Sequence, residues 1–462
     1  MSAERKNLIL ILASAGTFVE ALDIAIINLT IPSIQEQFGI GAETVQWLQT
    51  LYVLFFGGFL IIGGKLSDQI GRKTIFLWGS LIFLLTSLGA GLSTDFTTLA
   101  FFRALQGLGA AFIMPSAMSI VVNTFKGDQE RNRAIGIFSS FAAIGSGSGL
   151  SLGGIISTYL SWHWVFLINV PVLLVTLIFA CQYLPKDEKG TAQKTDLLSG
   201  IVLVLGLLSL TYGTHELIHI KEYPVMVLGS LVLAGVLLAL VVYRLKTTSK
   251  PLIDLRLFRH TSLLVSNLTF VMLGAFFIGF LFLISLMLQK DMHHSAASAG
   301  LMLVPFSVMS ALVAKFILPH VSKRLDSSQM GILGWAFMIA GALSLLISLY
   351  FGHLLPLVLL GAACISGIGM TFCFTALSVL TVQDVDAPDY GVASSLSSTS
   401  YFLGAGIGLS FMTLMSRVFP SESAVGSLSL FILAGYALIA LSMLLYFIIR
   451  TIKIRKEKMA VS

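Results

Sequence analysis

The chain has 462 residues, of which 56% are hydrophobic and 11% charged, with a formal net charge of +6 and a mean hydropathy of +0.94. A soluble domain carries about 25% charged residues, so this chain has too little charge to cover a water-facing surface and its main solvent is lipid. The basic excess is therefore a topology signal and not a sign of nucleic-acid binding. Cys181, Cys364 and Cys373 all fall in apolar segments without paired spacing, which argues against a disulfide framework and against a metal site.

Apolar helices are predicted at 8–31, 45–65, 75–93, 97–123, 133–158, 163–184, 197–216, 223–243, 262–288, 297–318, 328–350, 354–380, 391–417 and 425–450. Arg5 and Lys6 precede the first run and no small-residue cleavage site follows it, so it reads as a permanent span. An even number of spans puts both termini on one side. Lysine and arginine then choose that side. With cytoplasmic termini, 23 of the 28 basic residues are cytoplasmic; Lys221, Lys290 and Arg417 are outside, and Arg103 and Lys315 are within the membrane.

The expected fold is an all-α integral membrane protein of fourteen transmembrane helices, in the cell membrane, with both termini cytoplasmic. Polar connections near 185–196 and 244–261 divide it. Residues 1–190 form a first six-helix bundle, 191–260 a central two-helix insert with flanking loops, and 261–462 a second six-helix bundle with a basic tail. The six-plus-six division points to two related bundles.

Ionisable groups inside a membrane are costly, and each needs a reason. Glu20 and Asp23 lie three residues apart on one face of the first helix. Two carboxylates this close in a low-dielectric site do not easily both ionise, so one is suited to take up and release a proton near neutral pH, or to pair with a cationic substrate. The alternative is that Asp23 simply pairs with a cation and fixes the bundle. Arg103 keeps its charge and needs an acid or helix carbonyls beside it; it either forms a structural ion pair or tunes a neighbouring carboxylate. Lys315 reads as a snorkelling side chain. His215, Glu216 and His219 match His-Glu-x-x-His formally, but the helix ends there and no further acidic ligand follows nearby, so no metal is assigned.

The segment 63–76 is a short, charge-dense hinge between two apolar runs. Within it, Gly64-Lys65-Leu66-Ser67-Asp68-Gln69-Ile70-Gly71-Arg72-Lys73 resembles the G-x-L-a-D-r-x-G-r-k loop of the major facilitator superfamily, with Gln69 where a basic residue is usual. Arg103, Gln106, Gly107, Gly109, Ala110 and Ala111 are similar to its fourth-helix pattern. Leu22-Asp23 through Asn28 to Pro32, and Trp162 through Asn169 to Pro171, resemble segments of its fourteen-span drug:proton antiporter branch. Gly145, Gly149, Gly153 and Gly154 fit that branch's fifth-helix signature, but Leu150 stands in place of its proline.

The resemblance implies a secondary transporter, not an enzyme, working by alternating access. Its cargo would be a lipophilic or cationic drug leaving in exchange for protons, with no cofactor besides the coupling ion. Asp23, Glu20 and Arg103 would handle proton and substrate. Gly64, Asp68, Gly71, Arg72 and Lys73 would form a conformational latch, and Gln106 with the named glycines a helix-packing motif. Alternatives are proton-coupled transport of another amphipathic metabolite or a lipid, symport included, and a membrane-embedded enzyme prompted by His215, Glu216 and His219. Partners are the bilayer and a small molecule; a monomer is the default, and nothing in the sequence sets the oligomeric state.

Overall fold

The computed structural model describes residues 3–125, 128–185, 196–248, 251–253, 255–385, 390–420 and 423–461. Among these the regular secondary structure is helical. Lys126, Lys186, Lys189, Lys194 and Lys250 lie outside the described residues, as do the side chains of Leu150, His215 and His219.

Among the described residues, fourteen helices are long and apolar enough to cross a membrane: α1 (Glu4–Leu29), α2 (Trp47–Ile70), α3 (Arg72–Gly91), α4 (Phe96–Thr124), α5 (Arg133–Tyr159), α6 (His163–Tyr183), α7 (Leu197–Thr214), α8 (Pro224–Thr247), α9 (Thr261–Asp291), α10 (Ala296–Val321), α11 (Ser327–Tyr350), α12 (Leu355–Val382), α13 (Val392–Val418) and α14 (Ser427–Thr451). They match the expected spans one for one. Their outward faces carry apolar groups such as Trp78, Val225 and Ile449, as a lipid solvent allows.

Local sequence explains where these helices start and stop. Asp95 caps α4, accepting the backbone N–H of Thr98 at 2.9 Å, and that bond holds the Asp95 carboxyl below the usual carboxylate range. Asp326 and Gln329 form a reciprocal capping box at α11. The hinge is tighter than its sequence implies. Lys65 to Ile70 continue α2 as helix, and the chain turns at Gly71 alone. Gly71 takes φ 122°, a conformation that excludes most side chains.

The chain divides into two compact units. The first comprises Met1–Ile253 with Ile284–Val304, the second Asp254–Leu283 with Pro305–Ser462. In the first, α1 packs along α5, and α2 and α3 along α4. Glycines allow these approaches: a Cβ at Gly145, Gly149 or Gly153 would press into the α1 carbonyls of Phe18, Leu22 or Ile26. The helix containing Leu150 runs unbroken from Asp128 to Tyr159. With leucine in place of proline, no backbone hydrogen bond is removed at position 150.

The central pair, set apart by sequence as an insert at 191–260, is part of the first unit. Its helix α7 meets α2 where Gly200 faces Ile62 and Gly58 faces Val204. The pair is tied at one end by Arg244 donating to Asp196 at 2.6 Å. Burial alone would push the Asp196 carboxyl up, but hydrogen bonds from Arg244 and Ser199 hold it below its ordinary range. The 284–304 stretch also joins this unit: Ser285 donates to the Asn28 carbonyl at 2.5 Å, and the Ala297 N–H to Thr158 Oγ1 at 2.9 Å.

In the second unit, α9 and α13 meet at Gly274, Gly404 and Gly408, each placed against the partner helix's backbone. Neutral hydrogen bonds cross its core. Ser266 bonds Thr381 at 3.0 Å, Thr381 bonds Ser397 at 2.8 Å, and Ser400 donates to Asn267 at 2.8 Å.

Candidate functional site

Five helices of the first unit converge on Asp23. Arg103 Nη1 from α4 donates to Asp23 Oδ2 at 2.5 Å. Gln106 Nε2, one turn further along α4, and Asn169 Nδ2 from α6 both donate to Asp23 Oδ1 at 3.0 Å. Gln106 Nε2 also donates to Ser87 Oγ on α3 at 2.8 Å, while its Oε1 accepts from Arg103 at 2.7 Å. Arg103 Nε donates to the Leu48 carbonyl on α2 at 3.2 Å. Its guanidinium stacks on the Tyr52 ring, 4.3 Å from the centroid, with Phe166 on the other helix at 5.7 Å.

Both members of the ion pair are out of solvent, Arg103 at 0% and Asp23 at 1% side-chain exposure. A buried carboxylate is tolerable when a permanent cation and further donors surround it, and Asp23 has both. Gly107 places the pair. It sits against the Tyr52 main chain, so α4 comes close to α2 one turn beyond Arg103. Gly109 does the same against Phe83 of α3.

Glu20, one turn back on α1, is different. It is buried at 6% exposure, within electrostatic reach of Asp23, and among the described residues no hydrogen bond or ion pair reaches its carboxyl group. The two acids predicted together thus part company: one is charge-matched, the other is not. Beyond Asp23, α1 leaves α-geometry at Ile27–Leu29. There the Asn28 amide turns back to the carbonyls of Ile24 and Ala25 at 3.0 and 3.2 Å.

The other sequence-predicted groups lie elsewhere. Lys73 donates to the carbonyls of Cys181 and Leu184, at 2.7 and 3.1 Å, capping the end of α6. Asp68 is exposed, with Gly64 and Arg72 partly buried beside it. Gly154 presses on the Ala296 backbone. Lys315 is exposed in a π-helical turn, Val313–Ile317. Among the described residues no cluster of His, Cys, Asp and Glu is arranged to hold a metal ion.

Sequence reasoning singled out neither Tyr52, Ser87 nor Asn169 for this site. Asn169 stood inside a quoted motif, and a lone amide in an apolar run is a usable signal. Tyr52 in an apolar run looks like any interfacial aromatic, and nothing local distinguishes it.

Fourteen apolar helices, with an ion pair sealed inside one helical unit, describe a polytopic membrane protein of the transporter class. A family model for the Major Facilitator Superfamily matches residues 13–409, and the chain belongs to that superfamily. It is therefore a membrane transporter and not an enzyme. Multidrug resistance protein Stp of Mycobacterium tuberculosis is 30% identical over 405 residues, covering 88% of this chain and 75% of that protein. Cephamycin export protein CmcT of Amycolatopsis lactamdurans is 32% identical over 417 residues, covering 87% and 83%. Puromycin resistance protein pur8 of Streptomyces alboniger is 31% identical over 426 residues, covering 88% and 81%. Solved structures share the fold: a POT family transporter in complex with 5-aminolevulinic acid superposes with TM-score 0.70 at 15% identity, covering 97% and 96%. A D-xylose-proton symporter superposes with TM-score 0.67 at 14% identity, covering 95% and 96%.

Proposed function

We propose that the protein exports small amphipathic molecules, lipophilic cations among them, across the cell membrane in exchange for protons. The relatives' names support export of drug-like molecules. Proton coupling is carried by one observation: two acids one turn apart on α1, of which Asp23 is matched by Arg103 and Glu20 is not. A carboxylate already matched by a guanidinium gains little from a proton. An unmatched buried one gains much, because the proton removes an uncompensated charge from a low-dielectric site. Glu20 is therefore the proton carrier, and Asp23 the anchor that holds α1, α4 and α6 in register.

In this reading the termini are cytoplasmic and the two units alternate access to the cargo. Asp68, Arg72 and Lys73 contribute a cytoplasmic latch, and Lys73 secures its base to α6. A cationic cargo and a proton compete for the Glu20 charge, so only one of them travels in each direction. Uptake of a fluorescent lipophilic cation into inverted vesicles under an imposed pH gradient tests this. Glu20→Gln is expected to lower gradient-driven transport by at least tenfold while leaving yield and thermal stability close to wild type. Unchanged gradient-driven transport in Glu20→Gln would remove Glu20 from the coupling role.

A further inference from the structure

Tyr52 is fully buried on α2, yet its hydroxyl has no hydrogen-bond partner in the protein. An unsatisfied buried hydroxyl is unfavourable; Thr17, Thr50 and Ser80 are others in this unit, and Tyr52 is set apart by its contact with the Arg103 guanidinium. Its position is closely set. The Gly107 contact fixes its main chain, the Arg103 guanidinium lies over its ring at 4.3 Å, and Phe56 packs edge-on with centroids 6.0 Å apart. The charged groups that act on it are Asp23 and Glu20 from α1 and Arg103 from α4. From α6 come the neutral Asn169 and the ring of Phe166, which flanks Arg103 from another side. Where α7 packs on α2 it presents Val204 and Tyr212 further along the helix.

Of the two acids within reach, Asp23 already has three protein donors. Glu20 has none among the described residues. Its side chain has rotatable bonds and starts one turn along α1 from Asp23. A buried O–H donor without an acceptor thus lies against the Arg103–Asp23 pair, and a buried carboxyl group without a donor lies one turn along α1 from that pair.

We propose that the Tyr52 hydroxyl is the hydrogen-bond donor that receives the Glu20 carboxylate, directly or through one bridging water, whenever Glu20 is ionised. This rests on the proposed role of Glu20 and assigns Tyr52 a part in setting when Glu20 gives up its proton. The proton that Glu20 binds comes from the aqueous path and returns to it. The phenol keeps its own proton throughout and only donates to the carboxylate. When Glu20 is protonated the acceptor weakens and the side chain is free to leave Tyr52. Arg103 holds the ring in place through both states, so the donor stays fixed while the acid moves.

The test is binding of tetraphenylphosphonium to the purified full-length protein as pH is lowered. In wild type, affinity falls as protons displace the cation from Glu20. Tyr52→Phe keeps the ring on Arg103 but removes the donor for the charged carboxylate, so the fall is expected to begin about one pH unit higher. In a Glu20→Gln background the Tyr52→Phe change is expected to have no further effect on the profile. Incorporating 3-fluorotyrosine at position 52 keeps the shape of the side chain and strengthens the donor, and it is expected to move the profile the other way. This arm serves even where Tyr52→Phe folds poorly. A wild-type profile in both Tyr52 variants overturns the proposal, as does a Tyr52→Phe effect that persists in Glu20→Gln. A wild-type profile in Glu20→Gln alone instead overturns the proton-carrier role of Glu20, so the two failures are distinguishable.

Discussion

The two units use one packing device and fill their cores differently. In the first, Gly145, Gly149 and Gly153 of α5 lie against carbonyls of α1; in the second, Gly404 and Gly408 of α13 lie against Val271 and Ala275 of α9. In both, the first and fifth helices of a six-helix set approach backbone to backbone, as related bundles would. The polar groups part ways. The first unit buries Asp23, Glu20 and Arg103; the buried cross-helix bonds of the second join hydroxyl and amide groups such as Ser266, Thr381, Ser397, Asn267 and Ser400. π-helical turns interrupt the regular ladder in both, at Met287–Asp291 in the first and at Val313–Ile317 and Ala363–Gly369 in the second. Close helix packing is thus independent of charge. Among the described residues the buried charges lie in one unit, while the buried polar groups of the other are neutral.

The largest test of this contrast is removal of the cation. Arg103→Ala leaves Asp23 buried without its counter-charge and is expected to cost about 3–5 kcal/mol, with transport lost. Adding Asp23→Asn should recover part of the stability, read as thermal unfolding of purified protein. The matched change in the second unit, Thr381→Val, breaks three neutral bonds, to Ser266, Ser397 and the Leu377 carbonyl, and is expected to cost about 1–3 kcal/mol. Equal losses at the two sites would erase the distinction between a charged and a neutral core.

The shared device makes a smaller and symmetric prediction. Gly149→Val and Gly404→Val each push a side chain into a helix backbone, and each is expected to destabilise by about 1–3 kcal/mol or more. A marked loss at only one of them would show that the two units are not built alike. The smallest effect lies at the central pair. Asp196→Asn weakens the tie to Arg244, whose side chain is 28% exposed, so about 1 kcal/mol is expected at neutral pH. Because the Asp196 carboxyl is held below its ordinary range, its contribution is present above about pH 4 and fades as pH falls through the lowered range. The thermal stabilities of wild type and Asp196→Asn should therefore converge on acidification.

Much of the fold was legible in the sequence because it is local. Each span announces itself through some twenty apolar residues, and the caps at Asp95, Asp196 and Asp326 lie at the expected helix starts. The hinge was legible as a break but not in its extent, since Ser67, Asp68 and Gln69 are all compatible with helix and only Gly71 turns the chain. Of the site, Asp23, Glu20 and Arg103 stood out as charges in apolar runs, and Gln106, Gly107 and Gly109 came with a recognisable pattern. Tyr52 and Ser87 did not, because neither is unusual in a membrane helix until its neighbours are known. The placement of α7 and α8 with the first unit was equally hidden, since Gly58 and Gly200 show what they face only after packing.

The sequence by itself determined the solvent of this protein, the number of its spans and the identity of its membrane-buried charges, because hydropathy and ionisation belong to residues one at a time. Only the tertiary structure decided which acid is matched. The three donors to Asp23 come from 80, 83 and 146 residues away, and whether a carboxylate in a membrane holds its charge depends on what stands within hydrogen-bond distance of it, which chain order does not reveal.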